Sequence, residues 1–167
     1  MTDTLPEAAP AAAADVELLD PLGAARALDA APRAAARGFL GADPVTQNPE
    51  LTARHLAAQD ARVLRRGDAL LGYAPNPLQP RQARVATTSP DPEPLLALLE
   101  FLRTYHRCFS FVAETPADSP VLPALEACGF TSRGVLPGHL FRSGRHVDVH
   151  VHALVRRPDT DDHGREG

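Results

Sequence analysis

Leu95, Leu98, Leu99 and Leu102 fall at i, i+3, i+4 and i+7 of a glycine-free stretch from Asp91 to His106. That spacing puts four leucines on one face of a helix, and Leu96 and Phe101 widen the stripe. A helix with one apolar face has to bury it, and its neighbours in sequence supply a sheet. Phe109 to Glu114 reads as an apolar strand, and Arg81 to Thr88 as another. Arg62 to Arg66 and Ala69 to Tyr73 read as two short strands around Arg66-Gly67-Asp68. Asp15 to Leu19 alternates weakly. Gly134 to Phe141 and Arg145 to Val155 are long strands around Ser143-Gly144, a two-residue turn. Further helices are predicted over Leu22 to Ala36, from the Asn48 cap to about Gln59, and over Asp118 to Cys128, stopped by Gly129. The order β-α-α-β-β-β-α-β-α-β-β predicts an α/β protein: a single domain with a mixed β-sheet flanked by helices.

The chain has 167 residues, 44% of them hydrophobic, which suits one core and hardly two. Residues 1–14 are Ala/Pro-rich with almost nothing to bury and are expected to be a disordered tail. Residues 157–167 are polar and are expected to be a second one, leaving 15–156 as the domain. A formal net charge of -4 offers no basic excess for nucleic-acid phosphates. No apolar run approaches the roughly 18 residues of a membrane helix. The first residues show no signal-peptide pattern, and two cysteines make no disulfide framework, so a cytoplasmic protein is expected. All 17 basic residues are arginine, which points to a GC-rich bacterial genome and removes lysine-based chemistry.

Ala124-Leu125-Glu126-Ala127-Cys128-Gly129-Phe130 resembles the Gly-Phe-terminated helix of the GNAT (GCN5-related N-acetyltransferase) superfamily. Phe141 to Leu154 resembles its closing hairpin, with Asp148 where such proteins often carry an acid. The element order fits as well. The resemblance implies a GNAT-like fold over most of residues 15–156. It also implies two features of acyl-CoA chemistry. One is a loop patterned Gln/Arg-x-x-Gly-x-Gly/Ala before the long helix, whose N–H groups hold the acyl-CoA pyrophosphate. The other is a tyrosine acting as general acid, four residues before the glycine. Here Ser89-Pro90-Asp91-Pro92-Glu93-Pro94 stands on the loop. Three prolines remove three donors, and Asp91 and Glu93 add negative charge. Leu125 stands at the tyrosine position, and Asp118 where the helix often opens with Asn. The chain therefore reads as a degenerate member lacking the pyrophosphate loop motif.

The last hairpin is the richest segment. Alternation sends Val147, Val149, Val151 and Ala153 to one face, expected to be the core. His146, Asp148, His150 and His152 line the other. A two-residue turn places His139 opposite Asp148 and Pro137 opposite His150. Three readings stay open for this face: acid/base catalysis by histidines oriented by Asp148, metal binding through His-x-His, or a solvated polar surface. No metal is expected. Thr87 and Thr88 end the fourth strand and Glu114 the fifth; in the resembled fold these strands splay around the ligand.

An enzyme on a small-molecule substrate is the leading expectation, repurposed away from acyl-CoA. His150, Asp148, His139 and Glu114 are its candidate catalytic groups. Thr87, Thr88, His152 and His146 are its substrate contacts. No cofactor is expected. A CoA-dependent N-acyltransferase acting on a small amine, with acetyl-CoA or another acyl-CoA, is the alternative, and a non-catalytic binding module the second. Neither a nucleic acid nor a membrane is an expected partner, and the sequence is silent on oligomeric state.

Overall fold

The structure is a computed structural model that describes residues 16–156; both expected tails lie outside the described residues. Seven strands among these residues form one mixed sheet in the order β1-β2-β3-β4-β5-β7-β6. The strands are β1 (Val16–Leu19), β2 (Arg62–Arg66), β3 (Ala69–Asn76), β4 (Gln79–Thr87), β5 (Ser110–Pro116), β6 (Thr131–Arg142) and β7 (Arg145–Val155). The pair β4–β5 is parallel, and its crossover is α4 (Pro92–Tyr105), the helix of the leucine stripe. All other neighbours are antiparallel.

Each face of the sheet carries its own core. On one face Leu95, Leu98, Leu99 and Leu102 of α4 pack on Leu71, Val85, Phe111 and Ala113. Leu125 of α5 (Leu122–Ala127), Cys128 and Phe130 join them. Fully burying one such leucine is worth about 2 kcal/mol. On the other face α1 (Pro21–Ala30), α2 (Arg33–Ala36) and α3 (Pro49–Ala58) cover Val63, Leu70 and Ala74. The helix expected over Leu22 to Ala36 is two helices. Ala31 takes up extended backbone before Pro32, as a residue preceding proline prefers. The expected caps hold at α3 and α4. Asn48 Oδ1 accepts from Leu51 N at 2.8 Å, and Asp91 Oδ1 from Glu93 N at 3.0 Å.

After α2 the chain makes a 3-10 turn, Phe39–Gly41, framed by left-handed backbone at Gly38 (φ 79) and Gly41 (φ 77). Leu40 between them also has positive φ (49), which costs a non-glycine residue about 1 kcal/mol. The ring of Phe39 rests on β3 at Gly72. A Cβ there would come within 2.6 Å of the Phe39 ring, so only glycine admits this contact.

The candidate cleft and the histidine face

β4 and β5 pair only from Gln82–Arg84 to Ser110–Val112. Beyond that, β4 runs on to Thr87 and β5 to Pro116 without pairing to each other. This is the expected splay. Thr87 and Glu114 line the space it opens, together with Thr115 and Ser119. Thr88 does not line it. Its Oγ1 accepts from Leu70 N and its own N–H donates to Leu70 O, both at 3.0 Å, which closes the β3–β4 ladder.

The cleft is nearly full. Arg37, Gly38 and Phe39 enter it from the other face and leave about 10 Å³, the room of a single water. The entering segment is clipped in place. Arg37 Nη2 lies 2.9 Å from Asp43 Oδ2 in a buried ion pair, and also donates to Phe141 O at 3.2 Å. The Leu40 carbonyl accepts from His55 Nε2 at 3.1 Å and from Gln59 Nε2 at 3.0 Å. Glu114 faces Arg84 Nη2 at 3.6 Å, and Arg84 Nη1 donates to Gln59 Oε1 at 2.9 Å. Glu114 is thus paired across the mouth of the splay. Arg37, Asp43 and Arg84 were not singled out by sequence reasoning. The Arg37-Gly38-Phe39-Leu40-Gly41 run, with two glycines bracketing two large apolar residues, is the signal that marks the entering segment.

The turn between β4 and α4 uses its own donors. Ser89 N donates to Thr87 Oγ1 at 3.1 Å, Asp91 N to Ser89 Oγ at 3.1 Å, and Glu93 N to Asp91 Oδ1 at 3.0 Å. Pro90, Pro92 and Pro94 have no N–H. From Thr88 to Pro94 every backbone donor is either missing or engaged inside the chain. The Glu93 carboxylate lies 2.8 Å from Arg66 Nη2.

The hairpin keeps its Ser143-Gly144 turn and its first pairs, Arg142 with Arg145 and Phe141 with His146. The register then departs from the expected one. It shifts between Leu136 and Leu140, so Val135, not Pro137, lies opposite His150. Pro137-Gly138-His139 forms a bulge. Proline cannot donate to a ladder, and Gly138 takes positive φ (58), so this dipeptide is where the ladder yields. Asp148 Oδ1 accepts from Gly138 N at 2.8 Å, and His146 Nδ1 donates to Gly138 O at 3.1 Å. These two candidates therefore clamp the bulge. His139 is exposed, and no hydrogen bond or ring contact joins it to Asp148 or His150.

The faces of β7 also differ from the expected ones. Val149 is buried, but Val147, Val151 and Ala153 are only half-buried. His152 lies opposite Ala113 and Leu154 opposite Phe111, so the histidine face becomes core at its far end. α5 and Phe130 cover that end, which strand alternation alone cannot indicate. His152 is 5% exposed, and its Nε2 lies 3.3 Å from Thr115 Oγ1. Its ring centroid is 6.2 Å from that of half-buried His150. Burial, then the neighbouring His150, pulls the His152 pKa below the ordinary histidine value, against an opposing pull from Glu126. Among the described residues no group of three His, Cys, Asp or Glu side chains is placed to hold a metal, and no helix is long and apolar enough to cross a membrane.

The architecture is that of the N-acetyltransferases. No protein-family profile and no curated protein matches the chain. Solved structures do. A chimera of spermidine N-acetyltransferase SpeG from Vibrio cholerae and hSSAT aligns with a TM-score of 0.60 at 17% identity, over 84% of this chain and 94% of that one. RimL, a ribosomal L7/L12 alpha-N-protein acetyltransferase in complex with coenzyme A, aligns with a TM-score of 0.58 at 17% identity, over 84% and 94%. The chain has the GNAT fold, a mixed sheet of seven described strands flanked by helices.

Proposed function

We propose that this protein keeps the N-acetyltransferase fold but not its cofactor, and that it handles a small-molecule substrate at the mouth of the β4–β5 cleft with its own side chains. The turn from Thr88 to Pro94 carries this reading. An acyl-CoA pyrophosphate needs free N–H groups at the start of the helix. Here three donors are absent and the rest are engaged, while Asp91 and Glu93 place negative charge at the same helix terminus. These residues do not fit a pyrophosphate.

Of the candidate catalytic groups, Glu114 lines the cleft and half-buried His150 lies opposite Thr115 at its edge. Thr87 and His152 are the substrate-side candidates nearest to them. Asp148, His146 and Thr88 are engaged in holding backbone, and His139 stands apart. The acid/base work is accordingly assigned to the cleft rather than to the bulge. A bacterial, cytoplasmic setting accompanies this reading, supported by the arginine-only basic set and by two buried, unpaired cysteines. The second reading is a CoA-dependent N-acyltransferase, favoured by the coenzyme A complex of RimL at 0.58 TM-score.

Calorimetric titration with acetyl-CoA separates the two. The expected dissociation constant is weaker than about 1 mM. A micromolar constant overturns the leading reading and promotes the acyltransferase.

A further inference from the structure

The α4 side of β1 and β2 is open. The register sets Val16 opposite Arg66, and Leu64 opposite both Leu18 and Leu71, so these five side chains share one face of the sheet. α4 packs on β3 and leaves a groove of about 330 Å³ along its flank. The floor of the groove is core, Leu71 and Leu98, each 3% exposed. Its walls include Val16, Leu64 and Phe101, and Val16 and Phe101 remain 57% and 40% exposed. Small-molecule sites run to roughly 300–1,000 Å³, with apolar walls and a few polar groups that fix the ligand. Among the described residues one charge lines this groove, the Arg66 guanidinium.

We propose that this groove binds a medium-chain aliphatic carboxylate, with its alkyl tail along α4 and its carboxylate on Arg66. The charge decides the class. Arg66 Nη2 lies 2.8 Å from Glu93 Oε1, and the Glu93 side chain is 60% exposed against 22% for Arg66. A pair so exposed on one side holds weakly and can be exchanged for another carboxylate. A guanidinium offers five donors in a planar fork that matches the two oxygens of a carboxylate. A ligand carboxylate brings the same charge as Glu93 and adds a tail that the groove removes from water. A neutral or cationic head group would leave Arg66 without that gain.

The dimensions set the tail. From Glu93 to Phe101 the helix advances about 12 Å, at its rise of about 1.5 Å per residue. That is the reach of a medium-chain acyl group from a head at Arg66 to a terminal methyl at the Phe101 ring. The groove spans β1, β2 and β3, whereas the splay lies between β4 and β5. It therefore neither needs nor tests the reading of that cleft.

The probe is decanoate below its micelle concentration, titrated calorimetrically into the intact chain at about pH 7.5, where a carboxylic acid is ionised. Expected is one site with a dissociation constant of about 10 μM. Decanol carries the tail without the charge and should bind about tenfold more weakly, as should decanoate to Arg66→Gln. Glu93→Gln removes the competing carboxylate and should tighten decanoate about threefold. Ala97 is exposed and lines the groove, so Ala97→Trp fills it without entering the core and should abolish binding at unchanged helix content. A wild-type chain that takes up no decanoate overturns the proposal. So does equal affinity for decanol or in Arg66→Gln, which leaves an apolar groove with no head-group site. Unaltered binding in Ala97→Trp puts the site elsewhere and overturns it too. A concentration-dependent dimer that Leu18→Glu dissociates and decanoate does not gives the groove to a second copy of the chain, and overturns it as well.

Discussion

His152 couples protonation to folding. Its pKa in the folded chain lies below the ordinary 6.5 because burial, then His150, penalise the charged ring, with Glu126 opposing. Between the folded value and 6.5 the unfolded chain binds a proton that the native chain refuses. The contribution to stability is therefore complete above that window and is lost as pH falls through it. Urea unfolding at about pH 7.5 and about pH 5 should show the native protein weaker at the lower pH, and His152→Gln should flatten the difference. Asp148 acts on backbone instead. Removing its bond to Gly138 N in Asp148→Ala should cost about 1 kcal/mol in the same assay and loosen the bulge. A carboxylate alternating with histidines along a strand invites a catalytic assignment from sequence. The donor it actually meets is a main-chain N–H, which a side-chain pattern does not display.

At the level of elements, the helix of the leucine stripe, the Asn48 and Asp91 caps and the Ser143-Gly144 turn were legible, because each rests on spacing or on local chemistry. The register beyond Leu140 was not, since a turn fixes pairing only until the ladder is interrupted. Nor was the segment from Arg37 to Asp43. Its place in the cleft depends on contacts distant in sequence, such as Arg37 with Phe141 O and Phe39 with Gly72. Two substitutions test these elements. Gly72→Ala puts a methyl group against the Phe39 ring and should lower stability by about 2 kcal/mol, with amide exchange rising first around Phe39. Asp91→Ala removes the cap of α4 and should cost about 1 kcal/mol by thermal melting, without creating acetyl-CoA binding.

For the whole molecule, the buried Arg37–Asp43 pair joins what the sheet alone leaves apart. It anchors the segment after α2 on one face, and the same guanidinium reaches the β6–β7 hairpin through Phe141 O. Asp43→Ala leaves a buried guanidinium without its countercharge and should cost about 3 kcal/mol, with hydrogen exchange rising both near Gly38 and in the hairpin. The order of elements was readable from sequence, since an apolar-striped crossover helix between two strands suits a parallel pair, whereas the splay of β4 from β5 was implied only by the GNAT resemblance. How far the cleft is filled was not readable, because filling is a property of volume and sequence patterns report sidedness.

The Pro137-Gly138-His139 bulge adds two residues against β7, and two is an even number. Leu140 pairs with Val147 and Leu136 with Val149, so strand residues on either side of the insertion keep their faces. Excising Pro137 and Gly138 together would close the ladder into continuous pairing, with His139 opposite Asp148 and no side chain changing sides. Excising one alone would turn the remaining length of β6 over, sending Leu136 to the face of His150. Length variation at this bulge is therefore quantised by twos, whereas the one-residue shift between Ser132 and Gly134, farther along β6, sets Ser132 opposite His152 and reverses the alternation there.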